Sequence, residues 1–161
     1  MFFKKKDIAI KDYDARMVYT PVSGEVIALS EVKDQAFSSG KLGQGVGIIP
    51  GEGKCHSPVN GTVQMIFPTG HAIGLVDDRG LEWILHIGID TVNLQGEGFR
   101  VHVKEGDKIT AGTLLLEFDL KLMRAKGIDT TVIFITTNPG AVFETVSYGM
   151  HECAAPFIRL G

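Results

Sequence analysis

Hydrophobic and polar positions along the chain fall into short apolar segments rich in Val, Ile and Phe. Glycine, proline or acidic turn residues separate these segments roughly every eight to twelve residues. Short strands joined by tight turns give this pattern, and 20 glycines suit the many turns and bulges that need positive φ. The pattern predicts an all-β fold, an antiparallel β-sandwich or barrel-sandwich hybrid.

One segment has the pattern of a helix. Asp119 can cap a helix over residues 120–126, and Gly127 can end it. A helix this short is expected to connect strands, so the predicted fold includes one or two short connecting helices. A second pattern is internal: TPVSGEV at 20–26 recurs as SPVNGTV at 57–63, which predicts that one turn and strand are used twice.

Charge and cysteine content narrow the functional classes. The net charge is -3 with no basic stripe, which argues against nucleic-acid binding. Cys55 and Cys153 lie far apart without a CxxC or a secreted disulfide pattern, so we expect reduced thiols in a cytoplasmic protein. The sequence contains neither a signal peptide nor an apolar run of membrane-spanning length.

The N-terminus carries a weaker signal. The run FFKKK at residues 2–6 allows at most a weak contact with a membrane surface, although a solvated terminus is the commoner outcome. The initial methionine and the lack of a Pro/Ser-rich head favour a free-standing chain.

Two histidines flank a predicted hairpin, HAIGLVDDRGLEWILH, at residues 71–86. Centring the turn on Asp78 and Arg79 pairs His71 with His86 across the two strands. Directly opposed residues have Cβ atoms roughly 4.5 to 5.5 Å apart, so both rings could serve one small charged group. A loop of odd length would instead shift the register by one and place the rings on opposite faces.

A histidine pair supports several functions. A single histidine in an apolar strand is more often a core residue than a ligand or catalyst, but a facing pair could bind a metal, relay a proton or provide a nucleophile with a stabilising partner. A zinc-dependent hydrolase or binding protein using His71 and His86 would need at least one more protein ligand, and the sequence contains no HxH or HExxH motif.

Longer motifs resemble a known family. The runs PTGHAIGL (68–75), LHIGIDTV (85–92) and LQGEGF (94–99) closely resemble the glucose-class enzyme IIA of the bacterial phosphoenolpyruvate-dependent sugar phosphotransferase system. The resemblance implies a IIA domain over residues 18–161, and we expect residues 1–17 to form an N-terminal extension that is flexible or partly ordered.

The resemblance implies a phosphotransferase component without a metal or cofactor. His86 would accept a phosphoryl group from the phosphocarrier protein HPr and pass it to the IIB domain of a sugar permease. The Gly88 carbonyl would tie Nδ1 of His86 and leave Nε2 free to attack. His71 would donate a hydrogen bond to the phosphoryl oxygens, and Thr69 would orient the His71 ring.

The resemblance also implies a docking surface around His86. Its apolar members would be Phe37, Leu42, Phe67 and Ile84, and its acidic members would be Asp34 and Asp90. Two alternatives remain open: Ile84 could pack in the core against Ile73, and Asp90 could cap a turn.

Departures from the family pattern concern partner preference. Lys33 stands where proline is common, and Gln44 replaces an acidic residue, which removes a charge near the rim of the site. In the resembling family the unphosphorylated protein can also bind regulatory targets outside transport, so such partners are a further hypothesis.

Overall fold

The apolar segments form antiparallel strands in the computed structural model, which describes residues 6–161. The strands are β1 (Met17–Tyr19), β2 (Gly24–Ala28), β3 (Gln44–Pro50), β4 (Lys54–His56), β5 (Gly61–Ile66), β6 (Ala72–Asp77), β7 (Glu82–Ile87), β8 (Phe99–Val101), β9 (Lys108–Ile109), β10 (Leu114–Phe118), β11 (Val132–Thr136), β12 (Phe143–Val146), β13 (Gly149–His151) and β14 (Pro156–Leu160). The helices are α1 (Gln35–Ser38) and α2 (Leu120–Ala125), with 3₁₀ turns at Leu29–Glu31 and Thr91–Leu94. The prediction of an all-β fold with short connecting helices is confirmed.

Within the described residues the strands form three sheets. The largest has the order β13-β2-β3-β11-β7-β6-β5-β9, and the two smaller ones have the orders β1-β14-β12 and β4-β10-β8. All the pairings are antiparallel. The large sheet is the one that carries the predicted histidine hairpin, β6 and β7.

Side chains of β7 and β11 alternate between two hydrophobic clusters. Trp83 and Phe134 stack with ring centroids 4.6 Å apart in the main core. Ile133 and Ile135 point the other way, because successive strand residues face opposite sides, and they form a small cluster with Val32. We call this second group the outer cluster. It lies on the face of the sheet toward which His86 also points.

The register of the β6–β7 hairpin differs from the prediction. Ala72, and not His71, lies opposite His86, and the last pair before the loop is Val76 with Glu82. The predicted two-residue turn was therefore wrong, and the ladder is shifted by one residue. The observed register places the apolar residues of both strands on the core face together, which a one-residue slip would prevent.

A buried carboxylate explains the longer loop. Asp77 accepts hydrogen bonds from the backbone N–H groups of Arg79 (2.8 Å) and Leu81 (3.0 Å). Its second oxygen accepts from the indole nitrogen of Trp83 at 2.9 Å. Gly80 has φ +89°, the left-handed conformation that ends a three-residue hairpin loop. The Asp77 carboxylate thus binds both the three-residue loop and the indole of Trp83 in the core.

The short helix and the internal repeat are both found as predicted. Asp119 caps α2 by accepting from the Leu122 N–H at 2.9 Å. The repeated segments both lead into strands, β2 and β5, and they face each other reciprocally. The Tyr19 N–H donates to the Pro58 carbonyl at 3.0 Å, and the backbone N–H just before the second copy donates to the Pro21 carbonyl at 2.7 Å.

The described part of the N-terminal extension lies along β10. The Ile8 N–H donates to the Gly112 carbonyl at 2.8 Å, and the Lys6 ammonium pairs with Glu117 at 2.6 Å. Residues 2–5, which carry most of the predicted membrane-surface contact, lie outside the described residues.

Candidate functional site

The rings of His71 and His86 meet although the ladder does not pair them. Their centroids lie 5.1 Å apart, with the ring planes at 81°. β6 begins only at Ala72, so His71 belongs to the bend before the strand, where the alternation of faces does not apply. Gly70 precedes it with φ +72°. The bend, and not strand pairing, therefore brings the two imidazoles together.

The His86 ring has one nitrogen committed to the backbone. Nδ1 lies 2.8 Å from the Gly88 carbonyl oxygen, which can only accept, so Nδ1 carries the proton. In the neutral ring Nε2 then has the free lone pair. This is the tautomer in which Nε2 can act as a nucleophile.

Position 88 has no room for a side chain, so it requires glycine. Its φ is +75°. A Cβ there would lie 2.5 Å from the Thr91 methyl carbon and 2.8 Å from the terminal carbon of Met123. It would also approach the Asp129 carbonyl to 3.1 Å. The carbonyl that fixes the tautomer of the His86 ring is therefore embedded in packed structure.

The His71 ring is buried and held by its neighbours. The Thr69 hydroxyl hydrogen-bonds Nδ1 of His71. When that hydroxyl donates, Nε2 of His71 carries the proton and can itself donate. The Phe67 ring packs against His71 in an edge arrangement, with centroids 5.6 Å apart.

Burial favours the neutral form of both imidazoles. Desolvation lowers the pKa of His86 below 6.5, while the Gly88 carbonyl and the carboxylates of Asp34 and Asp90 oppose the shift. Desolvation also lowers the pKa of His71, and the positive charge that His86 can carry lowers it further. The neutral form that attack requires thus persists to lower pH than for an exposed histidine.

A pH titration follows from these shifts. We expect His86 to titrate below pH 6.5 when its ring C–H signals are followed by NMR, with His86→Gln used for assignment. Below pH 6.5 the unfolded chain binds more protons than the folded one, so the contribution of both histidines to stability is present above 6.5 and is lost as pH falls. A midpoint at or above 6.5 would contradict the burial argument.

Two apolar residues of the predicted docking surface pack beside the histidines. The Phe37 ring, on α1, lies 5.2 Å from the His86 ring between centroids. Ile84 lies opposite Gly74 and contacts the outer cluster. Ile73 is in the main core on the other face, so the alternative that Ile84 packs against Ile73 was wrong.

The remaining predicted positions are one apolar residue, Leu42, and two carboxylates, Asp34 and Asp90, which act electrostatically on His86. Leu42 is 48% exposed and shares a groove with residues of α1. Asp34 caps α1 by accepting from the Ala36 N–H at 2.9 Å. Asp90 is exposed, with φ +60°, at the start of the Thr91–Leu94 turn, but its side chain makes no capping hydrogen bond. The capping alternative for Asp90 is therefore not supported.

Sequence reasoning missed the residues behind the Gly88 carbonyl. Thr91 is fully buried, and its hydroxyl donates to the Ile87 carbonyl. The turn at Asp129 and Thr131 lies far away in sequence and supplies backbone acceptors to the same loop. Thr91 sits inside the LHIGIDTV run and could have been noticed there, whereas residues 129–131 carry no local signal.

The histidine pair has no third metal ligand among the residues that the structure describes. Across residues 6–161, no three His, Cys, Asp or Glu side chains cluster closely enough to hold a metal ion. The zinc hypothesis needed at least one more protein ligand beside His71 and His86. The arrangement does not favour it.

Comparison with known proteins identifies the family. Residues 16–142 match the family described as phosphoenolpyruvate-dependent sugar phosphotransferase system, EIIA 1. The structure is similar to that of glucose permease IIA from Mycoplasma capricolum, with a TM-score of 0.84, 34% sequence identity and 98% of each chain covered. The chain belongs to this EIIA family, as the sequence motifs predicted. Family and fold together make it a phosphocarrier component of the glucose-class IIA type.

The described helices are all short. None of those within residues 6–161 has the length and apolar character needed to cross a membrane.

Proposed function

We propose that this protein carries a phosphoryl group on Nε2 of His86, accepts it from HPr and passes it to the IIB domain of a sugar permease. The observation that carries the proposal is the His86 ring itself. Its Nδ1 lies 2.8 Å from the Gly88 carbonyl oxygen, and its ring centroid lies 5.1 Å from that of a second imidazole, in a chain of the EIIA family.

The tautomer of His86 allows transfer without a proton leaving Nε2. The Nε2 lone pair forms the new N–P bond, while the bond from phosphorus to the donor breaks and its electron pair stays with the donor. The imidazole becomes positively charged on attack, and the Nδ1–H bond to the Gly88 carbonyl stabilises that charge. Transfer to the acceptor reverses these steps.

His71 supplies the hydrogen bond that the phosphoryl group needs. With Nδ1 occupied by Thr69, the Nε2–H of His71 can donate to an equatorial oxygen of the transferring group. Charge on those oxygens must be balanced in the transition state, and positioned donors provide much of the catalysis of phosphoryl transfer.

The surface around His86 suits a protein partner. The apolar surface beside His86 is half-buried and consists of Phe37, Phe67 and Ile84. Once a partner covers it, it can exclude water from the transferred group. Asp34 and Asp90 add negative charge at its edge, which favours encounter with a basic patch on a partner. We propose that the protein acts in the cytoplasm, which the free thiols of Cys55 and Cys153 support. Regulatory targets would use the same face, whose charge changes on phosphorylation.

A phosphorylation assay tests the proposal. After incubation with phosphoenolpyruvate, enzyme I and HPr, the intact mass of the protein should rise by one phosphate, and the phosphate should be lost in acid, as expected for phosphohistidine. Omission of HPr is the control. No mass increase, with enzyme I and HPr active on another acceptor, would refute the phosphocarrier function.

A further inference from the structure

The Gly88 carbonyl, which accepts from Nδ1 of His86, is part of a group of four hydrogen bonds. Two successive peptide groups form it. The first joins Ile87 to Gly88: its N–H donates to the Thr131 carbonyl at 3.0 Å, and its C=O accepts from the Thr91 hydroxyl. The second peptide group follows Gly88: its N–H donates to the Asp129 carbonyl at 3.0 Å, and its C=O accepts from Nδ1 of the His86 ring at 2.8 Å.

Only one of the four bonds depends on a side chain outside His86. The two bonds to residues 129–131 join backbone groups, so any sequence with this backbone makes them. The Thr91 hydroxyl is different, because a substitution can remove it. Thr91 is fully buried, and its methyl carbon packs against the face of Gly88, where a Cβ would approach it to 2.5 Å.

Loss of the Thr91 bond would leave the Ile87 carbonyl without its side-chain donor in a buried place. A buried polar group without a partner is costly, so the peptide is expected to rotate toward another donor. Rotation of this peptide turns the next one, which carries the Gly88 carbonyl. The Nδ1 proton of His86 would then lose the acceptor that selects this tautomer, and the Nε2–H tautomer would become populated.

We propose that Thr91 is a positioning residue for phosphoryl transfer: its hydroxyl holds the Ile87–Gly88 peptide so that the Gly88 carbonyl keeps His86 in the Nδ1–H tautomer. The Thr91 hydroxyl bonds the Ile87 carbonyl and not a ring nitrogen of His86. It acts through the backbone. The inference rests on the proposed function for its kinetic part, while the effect on the tautomer stands independently.

Three variants separate the hydroxyl of Thr91 from its methyl group, and a fourth is a control at another residue. Thr91→Val removes the hydroxyl and keeps the shape, whereas Thr91→Ser keeps the hydroxyl. Thr91→Ala compared with Thr91→Ser repeats the test in proteins that both lack the methyl, in case the valine protein does not fold. The matched control is Thr136→Val, because Thr136 is also buried and donates to a carbonyl of β7, that of Glu82, at 2.7 Å at the other end of the strand.

Two measurements decide the outcome. The ¹⁵N shifts of the His86 ring, taken where the imidazole is neutral, report the tautomer. We expect the Nδ1–H form in the wild type and Thr91→Ser, and a mixture in Thr91→Val and Thr91→Ala. The rate of phosphate uptake from HPr should fall about tenfold in the two proteins without the hydroxyl, through kcat rather than KM.

Several results would overturn the proposal. An unchanged tautomer in Thr91→Val and Thr91→Ala would do so, as would an equal loss of rate in Thr136→Val, since that would indicate general destabilisation. If the wild type takes up no phosphate, the proposed function fails, and the ¹⁵N comparison alone still decides whether Thr91 sets the tautomer.

Discussion

Replacement of His86 by glutamine is expected to abolish phosphate uptake. Glutamine has a similar reach and can donate to the Gly88 carbonyl, so the 2.8 Å contact has a substitute. Its amide nitrogen has no available lone pair, however, and cannot form a stable N–P bond. Intact mass after incubation with phosphoenolpyruvate, enzyme I and HPr should show no added phosphate, against one for the wild type.

The fold offers a matched histidine as the control. His151 also has Nδ1 bonded to a backbone carbonyl two residues away, that of Gly149, at 2.9 Å. Its Nε2 is taken by the Ser147 hydroxyl at 3.1 Å. His151→Gln should therefore keep full phosphate uptake. Phosphate that remains on His86→Gln, or disappears from His151→Gln, would show that His86 is not the phosphorylated residue.

The histidine hairpin shows why element type was easier to predict than register. Strand character is written in local composition, and both strands lie where the apolar runs predicted them. Register depends on the loop, and the loop depends on the buried carboxylate of Asp77, which binds the Trp83 indole at 2.9 Å. That contact exists only once the core has formed. Gly80 at the third loop position was a local hint of the longer loop.

The histidine pair could be located from sequence for a reason other than the one first argued. His71 reaches His86 from the bend that follows Gly70, not from the opposed position of a ladder. The family motif already contained both histidines and Gly88, so the resemblance survived a wrong register. A motif records which residues a site needs, whereas the pairing argument had to assume regular strand geometry where the strand had not yet begun.

The residues that support the site were harder to predict from the sequence than its reactive groups. The segment 129–131 is far in sequence from Gly88 and acts through backbone carbonyls, so no side-chain pattern predicts its role. Ile84 was ambiguous for a related reason. Its face could be decided only once β7 was known to separate the main core from the outer cluster.

Replacement of His71 by glutamine is expected to leave the extent of phosphorylation unchanged and to slow transfer. The nucleophile and its bond to Gly88 remain, so the end point of uptake, which is set by the phosphorylation equilibrium, should still be one phosphate. The glutamine loses the contact with Thr69 that fixes the His71 ring, so its amide is not held toward the phosphoryl oxygens. Loss of one positioned donor of this kind costs about a hundredfold in rate.

Single-turnover transfer from the phosphorylated protein to a IIB domain measures this loss. The ¹⁵N tautomer of His86 should be the same in His71→Gln as in the wild type, which excludes an indirect effect through the nucleophile. If transfer proceeds at the wild-type rate, His71 has a structural role only, and the 5.1 Å approach of the two rings reflects packing. If uptake itself is lost while His86 keeps its tautomer, then His71 is needed to form the N–P bond at all, and the hydrogen bond to the phosphoryl oxygens contributes more than a single neutral donor normally does.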